Sequence, residues 1–151
     1  MAETVQEAAL TYLRGHQVMT LATVGKDGVW ATAVFYANDR FDLYFLSAGH
    51  TRHAQNFRHQ PHIAATIQED YKDWPEIKGI QLEGDVQQLG GEAREAAIAL
   101  FLARYPFLAE APPPLPTALT KVNWYRLRPT RFYFIDNSQG FGHRDEVEIR
   151  D

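Results

Sequence analysis

Two hydrophobic periods alternate along the chain. Val5, Ala8, Ala9, Tyr12 and Leu13 recur at helical spacing, so Glu3 to Arg14 reads as an amphipathic helix ended by Gly15. The period then shortens to two. VMTLATV, residues 18–24, is β-rich, and Gly25-Lys26-Asp27-Gly28 turns it into a second strand, residues 29–37. In that strand Trp30, Thr32, Val34 and Tyr36 share one face, while Ala31, Ala33, Phe35 and Ala37 share the other. Asn38-Asp39 turns the chain again, and Phe41 to Leu46 forms a third strand that stops at Ser47.

Thr51 then stands at a helix N-cap, and RHAQNFR continues without a breaker until Pro61 opens the strand HIAATI, residues 62–67. A polar loop, Glu69 to Glu76, leads into a long alternating strand from Ile77 to Leu89, with Ile80, Leu82 and Val86 on its apolar side and Gly79 and Gly84 marking bends or bulges. Ala93, Ala96, Ala97, Leu100 and Phe101 set a packed helix over Glu92 to Arg104. The proline run 112–114 predicts an extended polyproline II segment, and NWYRL and RFYFIDN read as two strands flanking a turn at Arg128-Pro129-Thr130. Gly140 to His143 reads as a frayed, glycine-rich end. About seven mostly sequential, antiparallel strands with flanking helices predict a mainly-β fold, a small β-barrel filling residues 1–151 as a single domain.

Composition narrows the partners. Lys and Arg number 15 against 19 Asp and Glu, a formal charge of -4, so neither nucleic acid nor an anionic membrane is an expected partner. The absence of cysteine removes disulfides, thiolate metal sites and a Cys nucleophile. No apolar run is long enough to span a bilayer, and the default location is cytoplasmic. GxGxxG, GxxxxGK[ST] and GxSxG are all missing, which argues against Rossmann, P-loop and α/β-hydrolase enzymes.

Candidate chemistry gathers at residues 47–53. First-turn amides of a helix are unpaired and its dipole is positive there, so an anion can seat at Thr51. The hydroxyls of Ser47 and Thr51 and the guanidinium of Arg52 match what a phosphate monoester needs. The same residues serve equally as a capped connector helix with solvated basic side chains. A second reading comes from His50, His53, His59 and His62, two H-x-x-H pairs, as a metal or haem site. His59 and His62 straddle Pro61 and diverge, so no metal site is expected.

The run Ser47-x-x-x-Thr51-Arg52-His53-Ala54-Gln55-Asn56-Phe57, followed by Gln60-Pro61-His62-Ile63, resembles the flavin-phosphate segment of the FMN-binding split-barrel family, the pyridoxamine 5'-phosphate oxidase-like proteins. Lys78-Gly79-Ile80-Gln81-Leu82 resembles the family strand at the dimer seam. Together with Thr51 to Gln55 and Asp136-Asn137 with Gly140-Phe141-Gly142, it points to a bacterial subfamily with no assigned reaction. The resemblance spans roughly residues 5 to 142 and implies a split barrel binding FMN, with deazaflavin or haem as the less favoured cofactors.

Residue by residue, the resemblance places Leu46, Ser47, Thr51, Arg52 and His53 at the cofactor, His53 standing where a Lys is usual, and lays the flavin ring along the backbone of Ala33, Val34 and Phe35. Ala31 and Tyr36 replace the Arg and Lys of the oxidase, which argues against pyridoxal phosphate chemistry. The implied function is an FMN-binding, oxidoreductase-like flavoprotein acting on an unknown small molecule. The alternative is a non-catalytic flavin- or haem-binding module. No catalytic side chain is required, because the flavin carries the redox chemistry. Trp30, Phe35, Tyr36, Trp124, Tyr125, Phe132 and Phe134 make both faces of several strands apolar, and a homodimer is the expected way to cover the second face.

Overall fold

The computed structural model describes residues 3–150. Helix α1, Val5–Arg14, begins at a reciprocal cap in which Thr4 Oγ1 accepts from the Glu7 amide at 3.1 Å and the Glu7 carboxylate accepts from the Thr4 amide at 2.9 Å. It buries Ala9, Leu10, Tyr12 and Leu13, one stripe of the predicted pattern. The strands follow as β1 (Val18–Gly25), β2 (Gly28–Phe35), β3 (Ala37–Asp39) and β4 (Asp42–Ser47). Helix α2 (Arg52–His59) then connects to β5 (His62–Gln68) and β6 (Lys78–Gln88). After α3 (Gly91–Arg104), two short helices, α4 (Pro106–Ala109) and α5 (Leu115–Lys121), precede β7 (Asn123–Asp136) and the short β8 (Arg144–Glu146).

All pairings are antiparallel, in the order β2-β1-β5-β6-β7-β4-β3, with β8 beside β7. The sheet curls until β2 lies against β4, the mainly-β barrel expected from the alternation. Its inward side chains, among them Met19, Leu21, Leu43, Phe45, Ile67, Ile80, Leu127 and Phe132, form one buried cluster with α1 and with Ala54 and Phe57 of α2. A second cluster, Leu89, Ala97, Phe101, Tyr105 and Trp124, lies under α3 on the outer side of the sheet. No helix among the described residues is long and apolar enough to cross a membrane.

Four local expectations are corrected. Residues 123–136 form one strand rather than two flanking a turn. Pro129 sits in a bulge, where the register with β6 shifts at Glu83/Gly84, and a Cβ on Gly84 would come within 2.3 Å of the Arg128 carbonyl. The turn before β4 is at Arg40 and Phe41 rather than Asn38-Asp39, with Arg40 at φ 52. The proline run enters a turn and α5 instead of an extended polyproline segment. The Gly140 to His143 stretch is tied down, not frayed: the Asp136 amide donates to the His143 carbonyl at 3.0 Å and the Gly142 amide to Asn137 Oδ1 at 3.2 Å.

The aromatic argument also changes. Trp124 turns outward under α3 and Tyr125 turns inward against Phe45 and Phe57, so these aromatics are buried on both faces of β7 within one chain. Tyr36 is buried as well, its hydroxyl donating to the Leu13 carbonyl at 2.7 Å. Among the described residues an apolar sheet face is left uncovered on β1 and β2. Cross-strand partners share a side, so Val18, Thr20, Ala22 and Val24 face the same way as Phe35, Ala33, Ala31 and Val29. Of these, Val29 is 81% exposed and Phe35 53%.

Candidate functional site

Two elements converge on the turn after β4. Alternation along β4 buries Leu43, Phe45 and Ser47 and turns Tyr44 and Leu46 to the opposite side. Helix α2 starts at Thr51, whose Oγ1 accepts from the Ala54 amide at 3.3 Å, while its first intrahelical bond runs from the Gln55 amide to the Thr51 carbonyl. The amides of Arg52 and His53 therefore lie ahead of the helical ladder, as an anion seat requires. Helix α2 is fixed against β1 by a buried bond from Asn56 Nδ2 to Thr23 Oγ1 at 3.0 Å. Gly25 permits that approach, since a Cβ there would fall 2.0 Å from Asn56 Oδ1.

Three of the five candidate residues in this stretch form one cluster. Ser47 Oγ lies 2.6 Å from His53 Nε2 and 3.2 Å from Thr51 Oγ1, and Thr51 Oγ1 lies 3.3 Å from His53 Nε2. The Thr51 hydroxyl donates to the Ala48 carbonyl at 2.9 Å. Ser47 is 9% exposed and His53 8%, and burial pushes the imidazole below its ordinary value, which favours the neutral ring. If His53 Nε2 carries the proton it donates to Ser47, whose own hydroxyl donates to the Ala48 carbonyl at a long 3.4 Å, a bond that a ligand oxygen can replace. The residues present thus fit a single phosphate through hydroxyls, amides and an imidazole, with no permanent charge in the cluster.

Arg52 points elsewhere. Its Nη2 donates to the Asp27 carbonyl at 3.0 Å, its guanidinium lies 4.3 Å from the centre of the Trp30 ring, and its Nε is buried without a partner. The guanidinium helps line an open groove of about 580 Å³ between the β1–β2 hairpin and the outer side of α2, with Lys26, His50 and His59. Leu46 lies on the α3 side of β4, packed on the second cluster, so only its backbone faces the turn. On β2, Val34 packs on the main core, whereas Ala33 and Phe35 stand on the exposed outer face.

The four histidines do not converge. His53 is held by Ser47, His50 and His59 line the groove, and His62 on β5 sits between Asp85 at 2.9 Å and Glu83 at 3.4 Å. The Asn56–Thr23 bond, the Trp30–Arg52 stack and the Asp27 carbonyl escape sequence reasoning because each joins α2 to residues more than twenty positions away. The one local signal is Gly25 closing a strand, which marks a close approach without naming what approaches.

The family model for pyridoxamine 5'-phosphate oxidase matches residues 5–136. A UPF0306 protein of Photorhabdus laumondii is 31% identical over 135 residues, covering 88% of each chain. One of Yersinia pseudotuberculosis is 28% identical over 135 residues, 88% of this chain and 86% of that protein. Among solved structures, a heme binding protein from Mycobacterium smegmatis superposes with a TM-score of 0.78 at 21% identity over 97% of this chain, which spans 59% of that longer protein. The heme storage protein HutZ of Vibrio cholerae superposes with a TM-score of 0.68 at 18% identity, covering 82% of this chain and 89% of that one. At such identities the structural likeness speaks to the fold alone. The match over residues 5–136, with the curled antiparallel barrel, places this chain in the pyridoxamine 5'-phosphate oxidase family.

Proposed function

We propose that the chain is an FMN-binding flavoprotein of the oxidoreductase type that works as a homodimer on a small-molecule substrate. The observation that carries this reading is the Ser47, Thr51 and His53 cluster at the start of α2, with two first-turn amides beside it. Such a seat suits one phosphate and offers no second phosphate-binding loop of the dinucleotide kind. In this reading Ser47, Thr51 and the amides orient the phosphate, and Arg52 supplies charge by leaving the Asp27 carbonyl. The backbone of Ala33, Val34 and Phe35 borders the ring. FMN, when bound, supplies the hydride and electron chemistry. The partner chain covers the apolar face of β1 and β2, which one chain leaves open. Ala31 and Tyr36, at the ends of the ring-binding strand, leave the pyridoxal phosphate substrate itself disfavoured.

A second reading is a haem-binding module, favoured by the fold shared with the Mycobacterium heme binding protein and the Vibrio heme storage protein. One absorbance experiment separates the two. Purified protein titrated with FMN should show saturable, flavin-type bands at one FMN per chain. A Soret band on titration with haem, and no uptake of FMN, would transfer the site to the second reading.

A further inference from the structure

A separate cavity lies on the other side of β4 from the Ser47, Thr51 and His53 cluster. Tyr44, Arg126 and Gln87 form one row across β4, β7 and β6, on the face that α3 covers. Helix α3 lays Ala93, Ala96, Ala97 and Leu100 over the Tyr44 and Arg126 end of this row, leaving a slot of about 270 Å³ with apolar walls and with Asp39, Tyr44 and Arg126 as its polar lining, while Gln87 lies outside it on the open groove. Asp39 and Arg126 also line an adjoining open groove of about 580 Å³, so the slot has a route to solvent.

Two of the ion pairs around the groove are closed within the chain. Arg128 is held by both oxygens of Asp42, at 2.9 to 3.3 Å, and Asp85 is held by His62. Arg126 has no ion pair among the described residues. Its Nη2 donates to the neutral Gln87 Oε1 at 2.7 Å, and its Nε is buried with no acceptor. An unsatisfied buried donor is uncommon enough to need a reason. The Nε–Nη2 edge of a guanidinium is one that a carboxylate can take with two bonds, and here an exposed, displaceable glutamine occupies half of it. Asp39 likewise has no cationic partner among the described residues. Burial and nearby Asp42 hold the Tyr44 phenol in its protonated form, which keeps it a donor.

We propose that this slot binds a small apolar α-amino acid, its carboxylate on Arg126 and the Tyr44 hydroxyl, its ammonium on Asp39, and its side chain against the alanines of α3. The pairing of one uncommitted cation with one uncommitted anion selects a zwitterion over a simple acid, because Asp39 repels a ligand with no positive group. Apolar walls select leucine- or phenylalanine-like side chains over polar ones.

Calorimetric titration of the full-length chain with L-phenylalanine, L-leucine and 3-phenylpropionate tests this. Saturable binding of both amino acids is expected, with 3-phenylpropionate about tenfold or more weaker. Arg126→Gln and Asp39→Asn should each weaken L-phenylalanine by about tenfold or more, and Asp39→Asn should abolish the preference over 3-phenylpropionate. Ala96→Leu, which fills the slot, should remove binding. Arg126→Lys, which keeps the charge but not the two-pronged edge, should fall between wild type and Arg126→Gln. Thermal melts of the variants report whether they fold. Absence of saturable binding by wild type, equal affinity for 3-phenylpropionate, or unchanged affinity in folded Arg126→Gln would each overturn the assignment.

Discussion

The two faces of the β1–β2 hairpin are equally apolar in places and have opposite fates. Inward, Met19 and Leu21 are fully buried and Thr23 nearly so, closed off by α1, α2 and the rest of the barrel. Outward, Val18, Val24, Val29 and Phe35 stand exposed around Ala22, Ala31 and Ala33. A solvated sheet face is normally marked by polar side chains. Here alternation of burial is not matched by alternation of polarity, so the inner face belongs to folding and the outer one is the face proposed above for association.

The largest effects should therefore separate by face. Leu21→Ala is expected to cost about 2 to 5 kcal/mol of folding stability in urea titration, through lost burial and the cavity left behind. Ala22→Ser, one residue along and facing outward, should stay within about 0.5 kcal/mol. Ala31→Glu should do the reverse, leaving the fold intact while weakening self-association by about 2 to 4 kcal/mol, seen in sedimentation equilibrium. If Ala31→Glu leaves the mass unchanged, the outer face is not the seam.

A smaller effect is expected at the turn between β4 and α2. Arg52→Ala should weaken FMN binding by roughly 1.5 to 3 kcal/mol without changing the melting temperature of the flavin-free protein. Because Arg52 also joins Asp27 and Trp30, a melting loss of the same size would make it a brace for the hairpin instead. His53→Lys, which installs a permanent charge, should tighten FMN.

The smallest effect is pH dependence. Burial lowers the His53 pKa below its ordinary 6.5, so between the lowered value and 6.5 the unfolded chain binds a proton that the folded chain refuses. Stability should accordingly fall as pH drops through that window, and the His53→Gln variant should show less of this dependence in pH-resolved melts. An anion at the turn favours the charged ring, so FMN binding near pH 6 should take up protons. Titrations in buffers of different ionisation heat would reveal it.

What could be read from the chain follows from the range of the interactions involved. The helix start at Thr51, the faces of β2 and the bend at Gly84 rest on local spacing and steric rules, and the structure keeps them. Pro129 misleads because proline marks a turn or a bulge with the same residue, and only the partner strand decides which. The aromatics of β7 suggest an uncovered face because sequence does not say where α3 will lie. Ser47, Thr51 and His53 were legible as neighbours on a strand–turn–helix, but the turning of Arg52 toward Trp30 was not, since it depends on how the hairpin packs on α2.

In the proposed reading, the turn between β4 and α2 and the uncovered apolar face together make a flavin site completed by a second copy. Sedimentation of the FMN-saturated protein at micromolar concentration, followed by flavin absorbance, addresses both parts at once. The flavin should travel with a species of twice the 17.2 kDa chain mass. Flavin travelling fully bound on a 17.2 kDa species, or remaining free at the meniscus, would contradict it.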